Sequence, residues 1–175
     1  MSTIIIRSLG IEDSGPLFKF ELDNKVWFES HVAPRPPDFY SVQGVNGHIE
    51  QLLSRYEVGT FHPSIILNQA GEVLGRANLK DIDQHLGVAE IGYRITQQSI
   101  GQGLATKAVR YLIEIACQRW QLKMLNAVVA ENNKASMRVL EKCGFVRSQH
   151  VPQIASVGDQ VLDGYTFQLR LDDLR

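Results

Sequence analysis

Between residues 89 and 120 the chain runs from an alternating apolar stretch, AEIGYRI, through QQSIGQGLA into a long amphipathic pattern, ATKAVRYLIEIACQRW. Gly101 and Gly103 stand between strand and helix with no charged residue beside them. A strand must therefore turn through very flexible backbone directly into a helix start. A helix start leaves several N–H groups without intrahelical partners and carries the positive end of the helix dipole. Anions, and phosphate above all, suit such a place. Glycine permits the positive φ that a nest of N–H groups needs, and it lets backbone approach a phosphate closely. A phosphate-gripping loop and a plain strand-to-helix turn both satisfy the two glycines taken alone.

The rest of the chain divides into elements by pattern. Ile4 to Ser8 reads as a strand. The segment EDSGPLFKFELDN reads as a helix, with Asp13 or Ser14 as cap, Pro16 in its first turn, and Leu17 and Phe20 on its apolar face. HVAPRPPDFY is a stiff, proline-broken loop ending in aromatics, able to wall a pocket but not to form a central element. A helix is expected over Val45 to Tyr56, capped by Asn46, with Ile49, Leu52, Leu53 and Tyr56 inward. PSIILN and VLGRANLKDI, joined by QAGE around Gly71, predict an antiparallel hairpin. After VAEIGYRI and the glycine loop come KMLNAVV as a strand, ENNKASMRVLEKCGF as a helix closed by Gly144, and VRSQHV and YTFQLRL as final strands. A meander of strands followed by β-α-β-α-β-β predicts an α+β sheet with helices on both faces.

The chain has 175 residues, enough for a single domain over 1–175 with a real core. A net charge of −1 argues against a generally basic nucleic-acid binder. Cys117 and Cys143 lie in apolar helical patterns without a CxxC or Cys/His cluster, as buried free thiols in a reducing compartment would. The opening MSTIIIRSLG is too short for the apolar core of a signal peptide, and no apolar run approaches the roughly 20 residues of a membrane span. A cytoplasmic protein with no membrane partner is expected.

Two nucleotide motifs fail at the glycine loop. A Walker loop needs Gly-Lys-Ser/Thr, whereas Leu104, Ala105 and Thr106 follow Gly103; a dinucleotide fingerprint needs a third glycine where Thr106 stands. A third pattern fits. Gln98-x-x-Gly101-x-Gly103 resembles the acyl-CoA loop, Gln/Arg-x-x-Gly-x-Gly/Ala, of the GNAT superfamily of N-acetyltransferases. Asn133-x-x-Ser136 followed by Lys142-Cys143-Gly144-Phe145 resembles the second motif of its RimJ/RimL-like subgroup, the ribosomal-protein acetyltransferases. The likeness is strong over Ala89 to Phe145 and rests on element order elsewhere.

This resemblance implies a mixed, mostly antiparallel central sheet of about six or seven strands flanked by about four helices, splayed between its two central strands to seat acetyl-CoA. It implies an N-acetyltransferase acting on a primary amine by direct attack in a ternary complex. Main-chain N–H groups of Ile100, Gly101, Gln102, Gly103, Leu104 and Ala105, with Gln98, would bind the diphosphate. The strand residues Ile91, Gly92, Tyr93, Arg94 and Ile95, together with Asn133 and Ser136, would hold the pantetheine arm and thiol end. Gly92 suits a bulge or close approach, or is simply tolerated in a strand.

Acetyl transfer needs orientation, a base for the amine and a donor for the departing thiolate. Alternation puts Glu90, Gly92 and Arg94 on one face of their strand, and several GNAT enzymes carry a base glutamate there. Glu90 is the candidate base; a Glu90–Arg94 pair without chemistry is the other reading. Ser136 is the candidate donor to the thiolate, or a helix-start serine bonded to backbone. Asn133 is a candidate helix cap as well as a cofactor contact. Many subgroup members carry a glutamate after Gly-Phe, where this chain has Ser148 and Gln149, and the spacing of Gly158 and Asp163 is one residue longer than the family's.

For the acceptor, a loop over Asn24–Tyr40 offers Trp27, Phe28, Phe39 and Tyr40 as a wall; Trp27, Phe28 and Tyr40 are the candidate substrate contacts. Near-zero net charge gives no steering towards a cation. An α-amine, at a pKa of about 7.7–8.0, needs less help from a base than a lysine-like amine near about 10.4, which favours a protein N-terminus. A small-molecule amine, such as a polyamine or antibiotic, and a non-catalytic acyl-CoA sensor are the alternatives. His31, His48, His62, His85 and His150 show no metal spacing and read as surface or structural; no metal is expected. Tyr165 lines the cleft or, as favoured, the core. Monomer and homodimer both remain open.

Overall fold

The computed structural model describes residues 3–174. Seven strands form one sheet: β1 (Ile5–Ser8), β2 (His62–Leu67), β3 (Val73–Asp83), β4 (Val88–Ile95), β5 (Met124–Ala130), β6 (Val146–Val157) and β7 (Gln160–Arg170), in the spatial order β1-β2-β3-β4-β5-β7-β6. Among the described residues five α-helices accompany them: α1 (Ser14–Asp23), α2 (Lys25–Glu29), α3 (Val42–Glu57), α4 (Leu104–Gln118) and α5 (Lys134–Lys142). The expected α+β class and mostly antiparallel sheet are present. The fifth helix, α2, falls in the first part of the segment read as an aromatic loop.

One strand pair departs from the antiparallel rule. The crossover through α4 brings β5 back parallel to β4, and the two pair only from Val88–Met124 to Glu90–Asn126. Beyond Glu90, β4 continues along β3 as far as Ile95, while β5 continues along β7 as far as Ala130. The two central strands therefore separate, and the edge of β4 that faces β5 carries no strand pairing past Glu90.

Each face of the sheet has its own apolar core. On one, α4 presents Leu104, Ala108, Val109, Leu112 and Ala116 at helical spacing; Ala108, Val109, Leu112 and Ala116 pack with Met137 and Leu140 of α5 against Leu79, Ala89, Ile91, Leu125 and Phe167. On the other, Leu17 and Phe20 of α1 and Val45, Ile49 and Leu52 of α3 cover Ile65 of β2. Strand β2 is buried throughout and serves both, with Ile65 in one core and Ile66 in the other.

One cap differs from expectation, and Asp13 takes the cap position expected of it without a side-chain capping bond. Helix α3 starts at Val42, and its cap is Ser41, whose Oγ accepts the Gly44 N–H at 2.9 Å, so Asn46 lies inside the helix. Asp13 precedes α1, but its carboxylate is taken by Arg7 at 2.7 Å and by the Gly10 N–H at 2.8 Å. Among the described residues no helix is long and apolar enough to cross a membrane.

Candidate active site

The glycine loop lies where β4 has left β5. A short 3-10 turn, Gln97–Ser99, follows β4, and α4 begins at Leu104. Gly101 and Gly103 both have φ of +77°, the left-handed region that side-chain-bearing residues avoid. No protein atom lies within 4 Å of where a Cβ would stand at either, so the space beside both glycines is open to a ligand. Among the described residues, none of the N–H groups from Gly101 to Ala105 donates a well-formed hydrogen bond. The loop is tethered behind: Asn24 Oδ1 accepts from Thr96 Oγ1 at 2.9 Å and from the Gln97 N–H at 3.2 Å, and Gln102 Nε2 bonds the Gln98 carbonyl at 3.2 Å. Leu104 is buried in the core, so only its main chain faces the loop, whereas Ile100 and Gln102 are exposed.

Along β4 the side chains alternate as predicted. Ala89 and Ile91 are buried under α4, and Tyr93 and Ile95 pack at the margin of that core. The Tyr93 hydroxyl meets Ser136 Oγ at 2.6 Å and so joins the diverging half of β4 to the first turn of α5. Asn133 caps that turn, accepting the Ser136 N–H on Oδ1 at 3.1 Å. Burial pushes the Tyr93 phenol above its ordinary range, the Ser136 bond opposing this, so it is a neutral hydroxyl at physiological pH. Ser136 thus has a side-chain partner that spacing alone did not reveal.

On the other face Glu90 stands at the last residue of the β4–β5 pairing. Its carboxylate pairs with Lys80, directly opposite on β3, at 2.5 Å, and its side chain is one-third exposed. The alternative partner considered for it, Arg94, is engaged elsewhere. Gly92 is not a bulge: it pairs regularly with Asn78, and the irregularity in this ladder falls between Lys80 and Asp83. The close neighbour at Gly92 is Lys80, whose Cε lies 3.1 Å from a Cβ built there.

Beneath α1, α2 and α3 this face carries a cluster of charges. Glu21 of α1 is 1% exposed and pairs with Arg35 at 3.2 Å and Arg94 at 3.5 Å. Arg76, opposite Arg94 on β3, is 3% exposed; its amino groups reach His48 Nε2 at 3.2 Å and Asn78 Oδ1 at 3.4 Å. Burial and then the surrounding arginines lower His48 to about 3, so it is the neutral acceptor Arg76 needs. The Arg94 guanidinium lies 4.8 Å over the Phe28 ring, and Arg35 lies 4.3 Å over Phe39. Phe28 is buried, so an acceptor would meet it through Arg94. Tyr40 is half-buried, donates to Glu29 at 3.4 Å and lies beneath Lys25; Trp27 stacks at 4.3 Å on His31. The sequence carried one sign of this cluster: Glu21 falls on the buried stripe of α1 with Leu17 and Phe20.

The remaining candidates have local explanations. His62 is buried, accepts from Trp120 Nε1 at 3.1 Å and is lowered by burial, and by Arg119, to about 4. His150 lies 3.3 Å from Asp163, with Glu131 close by, a juxtaposition produced by the β6–β7 hairpin rather than by spacing. Asp163 also accepts the Gln153 N–H at 2.9 Å, at an irregular part of β6. Ser148 and Gln149 are exposed on that edge strand. Tyr165 packs at the margin of the core, beneath Arg147. Cys117 and Cys143 are free but only partly buried.

Comparison with known proteins places this geometry. A family model described as "Acetyltransferase (GNAT) domain" matches residues 3–146. The "Probable N-acetyltransferase YjcK" of Bacillus subtilis is 32% identical over 145 residues, 82% of this chain and 80% of that protein. Among solved structures, the ribosomal-protein-S5-alanine acetyltransferase of Vibrio fischeri superposes with a TM-score of 0.94 at 16% identity, covering 100% of this chain and 97% of the other. The RimL ribosomal L7/L12 alpha-N-protein acetyltransferase, solved with coenzyme A, gives 0.89 at 19% identity over 98% and 96%.

Proposed function

We infer the function from one premise: the chain belongs to the GNAT acetyltransferase family. It is an acyltransferase that uses acetyl-CoA to acetylate an amine nitrogen. The finer assignment proposed here is an α-amine acceptor, attacked directly with both substrates bound. The observation that carries the acetyl-CoA reading is the separation of β4 from β5 past Glu90, opening beside a glycine turn whose N–H groups have no acceptor among the described residues. The likeness in fold to RimL, an alpha-N-protein acetyltransferase, supports the α-amine.

The loop fits a diphosphate: two left-handed glycines with open space beside them precede a helix start. The N–H groups from Ile100 to Ala105 would hold that group, with Gln98 shaping the turn. The main chain of Ile91 to Ile95 would hold the pantetheine arm along the unpaired edge of β4. When bound, acetyl-CoA supplies the thioester and, after transfer, leaves as the free thiol. Glu90 would accept the proton that the amine nitrogen loses, exchanging Lys80 for the incoming amine or acting through water. Ser136, capped by Asn133 and bonded by Tyr93, would give a hydrogen bond or proton to the departing sulfur.

The reading is tested by thiol release from acetyl-CoA over a panel of peptides, amino acids and polyamines, with CoA affinity measured by calorimetry. Turnover of an α-amine that falls in Glu90→Gln supports it. Tight CoA binding with no thiol release from any amine overturns it.

A further inference from the structure

The charge cluster under α1–α3 is unbalanced. Arg35, Arg76 and Arg94 surround one carboxylate, Glu21. Glu29 stands nearby on Tyr40, but Lys25 over the same ring offsets it. Among the described residues, Arg76, 3% exposed, has only neutral partners, His48 and Asn78, within hydrogen-bond reach, and the Nε atoms of both Arg76 and Arg35 are buried without a partner. Buried cations without counter-ions are costly, and unsatisfied buried donors are rare in folded proteins. The mutual repulsion is visible in Arg76, lowered to about 10 by burial and, against the pull of Glu21, by Arg35 and Arg94.

The excess lies on the acceptor side. Arg94 shares the β4 face of Glu90 and sits past the point where β4 leaves β5. An amine approaching the slot from this face passes it. Arg35 is reachable as well: it lines a cavity of about 340 Å³ with Asp38, Gln43, His48 and Gln51, and Arg94 flanks it on the far side of Glu21. Two partly exposed guanidiniums backed by a buried third form a strong site for a planar oxyanion.

We propose that the acceptor carries a carboxylate close to its amine, and that Arg35 and Arg94 bind that carboxylate while the amine gives its proton to Glu90 through water. This rests on the acetyl-transfer reading and narrows its substrate class. The carboxylate has two sources, the α-carboxylate of a free amino acid or an acidic side chain near a peptide N-terminus. Polyamines, cationic throughout, are disfavoured by the same cluster.

The test uses the full chain saturated with free CoA, so that no reaction occurs. Free L-α-amino acids, the matching amino-acid amides, peptides with Asp or Glu at the second position, and spermidine are titrated by calorimetry. At least one carboxylate probe should bind roughly tenfold or more tighter than its amide, and the preference should collapse in Arg35→Gln and in Arg94→Gln. Glu21 keeps its Arg94 partner when Arg35 is replaced, and unfolding by urea is followed in both variants so that lost binding is read only from folded protein. A preference for free amino acids assigns the α-carboxylate, and one for acidic peptides the side chain. Equal binding of acid and amide, no binding of any carboxylate, or a preference that survives both substitutions overturns the proposal. The same probes are then run with acetyl-CoA. A carboxylate preference without thiol release would leave the anion site standing and overturn the acetyl-transfer reading instead.

Discussion

Beneath α4 and α5 the polar groups nearest the slot are neutral: main-chain amides of the glycine turn, the Tyr93 and Ser136 hydroxyls, and the Asn133 amide. Beneath α1, α2 and α3 they are ionised: Glu21, Arg35, Arg76 and Arg94. The first arrangement suits an anion that arrives and leaves at every turnover, because dipoles and amides cost little when nothing is bound. The second holds fixed charges inside the fold, where removing any one leaves the others exposed to a low dielectric. One side is therefore tolerant in stability, and the other is demanding in it.

The sharpest break in that contrast is Glu21→Gln. It removes the carboxylate common to two arginine pairs and leaves three guanidiniums without it. A loss of about 3–5 kcal/mol in unfolding free energy by urea titration is expected. A loss below about 1 kcal/mol, in the range of surface pairs, would show that water screens the cluster and that its charges are not fixed in the sense argued. Acid acts on the same layer through His48. Its folded pKa, about 3, lies below the ordinary 6.5, so the unfolded chain binds the proton first. Stability is thus lost as pH falls below 6.5, at up to about 1.4 kcal/mol per pH unit, reaching about 3 kcal/mol near pH 4.5. Comparing wild type with His48→Gln isolates this from titrating carboxylates: the variant's stability curve should be flatter over that window. Parallel curves would mean that His48 takes up its proton without unfolding.

How far the sequence could be read follows the same divide. The neutral side is built from contiguous residues, so its chemistry is written locally: Gln98 to Ala105 form one turn, and Asn133 caps a helix that contains Ser136. The charged side is assembled from α1, a loop, β3 and β4, and no spacing rule brings Glu21, Arg35, Arg76 and Arg94 together. The Lys80–Glu90 pair was hidden for a related reason, since it depends on the register of β3 against β4. Two element errors trace to prolines. Pro34, Pro36 and Pro37 gave the whole segment a loop character, although Lys25 to Glu29 contains no breaker and is helical. The strand read as VRSQHV stops just before Pro152, yet β6 is an edge strand where proline removes no ladder bond, and it continues to Val157 past an irregularity between Val151 and Ala155.

A smaller effect is expected on the neutral side, and in binding rather than stability. Gly103→Val forces a β-branched residue to the +77° φ of the turn, at about 1–2 kcal/mol. It also places a side chain in the open space beside the amides. CoA affinity by calorimetry should fall roughly tenfold or more, while the chain stays folded. Undiminished affinity would remove the glycine turn from the cofactor site and with it the contrast between the two faces.

The smallest and most discriminating effect concerns Tyr93 and Ser136. Their 2.6 Å bond could act only as a strut between β4 and α5, or it could orient the serine towards the sulfur. Loss of one neutral hydrogen bond is worth about 1 kcal/mol in either case, so the size alone cannot separate them. The distribution can. A strut predicts that Tyr93→Phe lowers unfolding free energy and leaves kcat unchanged. An orienting bond predicts a several-fold fall in kcat at constant KM, because the contact matters most as charge develops on sulfur. It also predicts that Tyr93→Phe has little further effect once Ser136→Ala is present, since the phenol then has no hydroxyl to align. Additive kcat losses in the double variant would show that the two hydroxyls act independently and that the phenol does not orient the serine.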